Sequence, residues 1–156
     1  MTDGTMSTSP PPTPDAAAFG ADVARDLQRV RAATAKYRDI EAAYADGYPS
    51  RMPPCLDNPP HGGMGLHYSN RKLLDDRLDL EHPENLIYAP TPEGKPRLVG
   101  VEYIVPYSAW DRPEPPRIFG RPLKRADGLQ LWYLHVWTWE PNVNGLFADW
   151  NPAVKC

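Results

Sequence analysis

The sequence predicts an α+β fold, with an N-terminal helical segment packed on a small, mostly antiparallel sheet and long proline-rich loops. Three observations point there. One stretch near the N-terminus repeats its apolar residues at helical spacing, and two later stretches have strand character. The chain also carries 20 prolines in 156 residues, well above the usual share of roughly 5%. Proline removes a backbone donor and blocks the helix interior, so such a chain cannot consist mainly of long helices.

Residues 1–18 are rich in Ser, Thr and Pro and cannot bury enough apolar surface to offset their ordering entropy, so a disordered tail is expected there. Residues 19–156 are predicted to form a single globular domain. Between Asp22 and Asp46, residues Val23, Leu27, Val30, Thr34 and Tyr37 recur at spacings of three and four. This predicts one helix with a break near Arg38, or two short ones. Asp39 can cap the second segment, and Gly47 stands where a C′ glycine would end it. Tyr37, Tyr44 and Tyr48 read as packing residues.

Pro49 to Pro60 is expected to be a proline-studded loop carrying Cys55. The glycines of HGGMG lead into a short strand around Leu66 to Ser69, and Leu86 to Tyr88 forms another. Lys95 to Val105 is the clearest strand, apolar on both faces and therefore covered on both sides. Simple alternation puts Leu98, Gly100, Glu102 and Ile104 on one face. Leu131 to Trp139 alternates in the same way, with Tyr133, His135, Trp137 and Trp139 sharing a side. Tyr107 to Gly128 reads as a long excursion between these strands. Leu146, Phe147 and Trp150 predict a C-terminal stretch packed back on the domain.

Net charge is −3 and the pI about 5.8. No clustered basic face suggests nucleic-acid binding, and no run approaches the roughly 18 apolar residues of a membrane span. As written, the start lacks a basic region and an apolar core, which predicts a cytoplasmic protein. Export to the envelope is the alternative if translation begins elsewhere. The two cysteines, Cys55 and Cys156, are either a disulfide closing a long loop or two unrelated thiols of a reducing compartment.

Of the four histidines, His67 and His135 fall inside predicted strands, as does Glu102. A carboxylate among apolar strand residues is costly unless paired, hydrogen-bonded or metal-bound. If these strands are neighbours, two imidazoles and a carboxylate converge, with His61 of the glycine loop as a fourth candidate. That donor set suits a divalent transition metal such as iron, zinc or copper. Against this stand satisfied core histidines, a Glu102 paired with Arg97 or Arg117, and a solvated His61. No CxxC, HExxH, Walker loop or GxSxG elbow is present. Separately, Tyr133, Trp137 and Trp139 are candidates for lining an apolar pocket for a small organic ligand, with core packing as the plain alternative.

The runs ATAKYRDIEAAYADGY, GGMGLHY, PENLIYAPTPEGKPRLVGVEYIVP and LHVWTWEPNVNGLFADWNP, followed by the terminal cysteine, resemble a family of small uncharacterised bacterial proteins, many with the look of exported proteins. The resemblance spans roughly residues 32–156 and carries no known activity with it. It implies that His67, Glu102, His135 and Cys156 belong to a shared pattern. The readings that follow are a mononuclear metal site, a non-catalytic small-molecule-binding module, or a structural or partner-binding domain. The residues leave open whether the protein is an enzyme, and its oligomeric state.

Overall fold

The computed structural model describes residues 19–156, so the expected tail lies outside the described residues. Helix α1 (Ala21–Thr34) turns its four-three-four stripe of Val23, Leu27, Val30 and Thr34 inward. Each of the apolar members contributes roughly 1.5–3 kcal/mol on burial. A single 3-10 turn, Ala35–Arg38, makes the expected break. Asp39 then caps α2 (Ile40–Ala45) by accepting from the Glu41 N–H at 3.1 Å. Past its end Gly47 takes a φ of 106°, the left-handed geometry that closes many helices. Tyr37 and Tyr48 are buried here, edge to face at 5.5 Å.

The main sheet contains β1 (Cys55–Asn58), β2 (Gly62–Ser69), β3 (Asn85–Ala89), β4 (Arg97–Pro106), β7 (Lys124–Ala126) and β8 (Leu131–Val136). Their spatial order is β1-β2-β3-β4-β8-β7, antiparallel throughout. A two-stranded ribbon, β5 (Arg117–Ile118) and β6 (Arg121–Pro122), stands beside it. The helices cover one face, where Leu27, Val30, Tyr68, Tyr88, Val101 and Tyr103 join one core. On the other face a smaller cluster of Ile87, Ala89, Val99, Trp137 and Val154 lies under the C-terminal segment.

Several expectations change. The Pro49 to Pro60 region is not all loop, because the four proline-free residues 55–58 pair with β2 as an edge strand. The Tyr107 to Gly128 excursion contains the β5–β6 ribbon and returns as β7, which pairs with β8. In β4 the register shifts against β3, so that Ile87 faces Gly100 while Tyr88 faces Leu98. That extra residue, a β-bulge, reverses alternation. Leu98 therefore joins the helix-side core and Val99 the opposite cluster, while Glu102 and Ile104 keep their predicted side.

The glycine run has a packing reason. Gly63 exchanges two backbone hydrogen bonds with Asn151, at 3.0 and 2.9 Å. A Cβ on Gly63 would stand 2.5 Å from the Val154 carbonyl oxygen, and one on Gly62 2.4 Å from Asn151. Only glycine lets the C-terminal segment cross β2 so closely. Cys55 and Cys156 form a disulfide, with a sequence separation of 101 residues, and fasten that segment to β1.

Glu84 is buried just before β3 begins and accepts the Ile104 N–H at 2.9 Å, continuing the β4 ladder beyond the first residue of β3. Burial pushes its carboxyl from 4.5 up to about 8, only partly offset by that hydrogen bond. The folded protein thus binds this proton more tightly than the unfolded chain, and stability falls as pH rises from about 4.5 through about 8. Glu84→Gln, whose carbonyl oxygen can still accept from Ile104, should flatten that part of the Tm–pH curve; an unchanged slope refutes the assignment. Replacing both cysteines by serine should remove roughly 4–5 kcal/mol of loop-closure stabilisation. Scanning calorimetry would then show Tm lowered by about 10 °C or more.

Candidate functional site

The site is assembled by sheet register. Glu102 at the middle of β4 lies directly opposite His135 on β8 and opposite Asn85 at the start of β3. His67 comes from β2, paired with Ile87, and leans over β3 toward the same point. One Glu102 oxygen stands 2.8 Å from His135 Nε2, and the other 3.8 Å from His67 Nε2. The two Nε2 atoms are 3.4 Å apart. Three possible donors therefore meet in one place, all within 4.8 Å of one another.

Glu102 and His135 are each aimed by a neighbour. Asn85 donates its amide to Glu102 Oε1 at 2.7 Å. Asp149 accepts from His135 Nδ1 at 3.2 Å, which turns Nε2 toward the cluster. Asp149 in turn is held by Lys124 Nζ and the Tyr133 hydroxyl, each at 3.0 Å. Nδ1 of His67 is buried and forms no hydrogen bond of ordinary geometry, although the Gly65 backbone favours its charged form. Arg97 pairs with Glu140, and Arg117 donates to the Gly120 carbonyl. Neither is a partner of Glu102.

The electrostatics follow from this packing. Burial alone would raise Glu102, but the charge and hydrogen bond of His135, with His67 and Asn85, hold it well below the usual carboxylate range. Burial alone would lower His135, yet Glu102 and Asp149 on its two sides hold its imidazolium well above the ordinary histidine value. Burial lowers His67, with Glu102 opposing the shift and His135 adding to it. In the ion-free protein alternating charges run from Glu102 through His135 and Asp149 to Lys124, the first two buried and the last two partly exposed.

A cleft of about 470 Å³ opens over these donors, walled by Leu56, Met64, Ile104, Leu131, Tyr133 and Trp150 among others. Of the aromatics expected to line a pocket, Tyr133 does so and the other two do not. β8 leaves its ladder after Val136, and the Thr138 N–H bonds back to the Val136 carbonyl, which breaks alternation. Trp137 is fully buried and donates its indole N–H to the Ala148 carbonyl. Trp139 turns to the helix side and donates to Thr34 Oγ1. His61 is exposed at the β1–β2 turn and is not part of the donor group.

Asp149, Asn85 and Lys124 had no role in the sequence reading. The isolated acid in FADWN, between apolar residues, and the amide opening an otherwise apolar β3 are the signals that mark the first two. No protein-family model matches the chain, and neither does any curated protein or solved structure.

In ion-free protein the Glu102 contribution to stability is present above about 4.5 and lost as pH falls through its depressed value. The His135 contribution is full below about 6.5 and lost as pH rises through its raised value. Thermal denaturation of chelator-treated protein should therefore show a stability component with a plateau between these limits. Glu102→Gln should abolish it, and its persistence in that variant would disprove the pairing.

Proposed function

We propose that the protein binds one divalent transition-metal ion through His67 Nε2, His135 Nε2 and the Glu102 carboxylate, with the ion's open side toward the cleft. The carrying observation is the spacing of the three donors. Donors about 2.1 Å from a common ion at tetrahedral or octahedral angles stand about 3.0–3.4 Å apart. The closest approaches here, 2.8 Å from His135 Nε2 to one Glu102 oxygen, 3.8 Å from His67 Nε2 to the other and 3.4 Å between the imidazoles, lie near that range, and one donor atom of each residue falls within 4.8 Å of the others. Two imidazoles and one carboxylate with open positions suit iron(II) or zinc(II), with copper the further candidate. The Asp149 contact to His135 is the carboxylate–histidine pairing that fixes the ligating nitrogen in many metal sites.

When bound, such an ion would polarise a small molecule entering the cleft, or simply be held there. The chain's own residues orient the His135 imidazole and present apolar walls around the cleft. The Cys55–Cys156 bridge suits an oxidising compartment and so favours export. A second reading, a metal-free module that binds a small molecule, draws on the apolar cleft walls. In a third, the histidines and Glu102 only satisfy one another.

Elemental analysis by mass spectrometry of tag-free protein, purified without chelator or added metal, is the test. About one equivalent of iron, zinc or copper is expected. His135→Ala should lose the ion and keep the fold by circular dichroism, while Asp149→Asn should bind it roughly 10–100-fold more weakly. Absence of metal after reconstitution, or full occupancy in His135→Ala, would overturn the proposal.

A further inference from the structure

A second groove of about 770 Å³ runs along the other flank of β2, between residues 47–54 and the turn that follows the strand. Three cations, Arg51, Arg71 and Lys72, line it, and its walls contain no Asp or Glu. Several other cations of this chain are paired: Arg29 with Glu81, Arg97 with Glu140, Arg112 with Asp76 and Lys124 with Asp149. Arg51, Arg71 and Lys72 have no acidic partner among the described residues. In a chain of net charge −3, three unpaired cations around one acid-free groove concentrate positive potential where little is expected.

The groove and the cleft meet. His67 and Ser69 belong to the walls of both, so a molecule seated on the cations continues past His67 toward the apolar walls at Ile104, Leu131 and Trp150. The two volumes lie within the range of small-molecule sites. We infer that the site takes an amphipathic organic anion, with its carboxylate or phosphate head on Arg51, Arg71 and Lys72 and its apolar body in the cleft beside the His67–Glu102–His135 cluster. This deepens the metal reading by naming the class of molecule that reaches the centre, and rests on it only for what happens there. Because the cations are exposed, the attraction is screened by salt. Arginine supplies paired donors that match either head group.

Isothermal titration calorimetry with octanoate, octyl phosphate, octanol and octyltrimethylammonium tests the inference, run on both ion-free and reconstituted protein. At least one of the anions should bind, and the stronger of the two names the head group. Octanol should bind roughly tenfold more weakly and the ammonium compound not detectably, and anion affinity should fall as salt rises. The triple variant Arg51→Gln, Arg71→Gln, Lys72→Gln should lower anion affinity to the level of octanol without changing metal content. Affinity for octanol equal to that for the stronger anion, no binding of either anion, or an unaltered triple variant would overturn it. Anion binding by protein that takes up no metal would retain this inference and discard the metal centre. Metal uptake without anion binding would do the reverse.

Discussion

The carboxylate of Glu102, held inside the sheet between strands β3 and β8, is the constraint on which the site depends. Placing a negative charge there is unfavourable unless donors surround it, and the antiparallel register supplies them. Asn85 is its partner on one side and His135 on the other. A slip of one residue in either ladder would send Glu102 or its partner to the helix side. The same register sets Tyr133 and Ile104 opposite one another, so the polar centre and part of the apolar wall above it are fixed by one pairing. A buried charge and its cleft thus have a common cause in the β4–β8 alignment.

The two faces of the sheet are closed by different means. α1 and α2 lay an apolar stripe over one face, and the large residues Tyr68, Tyr88 and Tyr103 fill the space beneath them. Among the described residues the other face has no helix. It is partly covered by the C-terminal segment, which crosses β2 at Gly63 and ends in the disulfide to β1. That segment brings Asp149 to His135 and Trp150 to the cleft. Partial cover leaves a hollow over the donor cluster, and the strap that makes it also orients the ligating imidazole.

Much of the architecture could be read in the sequence, because its signals are local. The three-four spacing from Val23 to Thr34, the Asp39 cap and Gly47 determine the helical segment within a few residues of chain. The apolar run of β4 requires cover on both faces, and the placement of Glu102, His67 and His135 in strands marks them as unusual. These follow from residue type and period alone. Alternation fails where the backbone departs from regularity. The bulge at Val99 turns Leu98 over, and the turn at Thr138 sends Trp137 and Trp139 into two different cores. Such irregularities depend on what packs against the strand.

The convergence of the site was a matter for tertiary structure alone. His67 and His135 are 68 residues apart in sequence and 3.4 Å apart at Nε2, a meeting decided by strand order. Asp149 acquires its role only because Gly63 lets the C-terminal segment lie against β2, and the Cys55–Cys156 bridge forms because that crossing brings the chain end to β1. The sequence by itself determined which side chains are too polar for their strands. The fold decided which of them share one side of the sheet, because strand order and register depend on contacts distant in sequence.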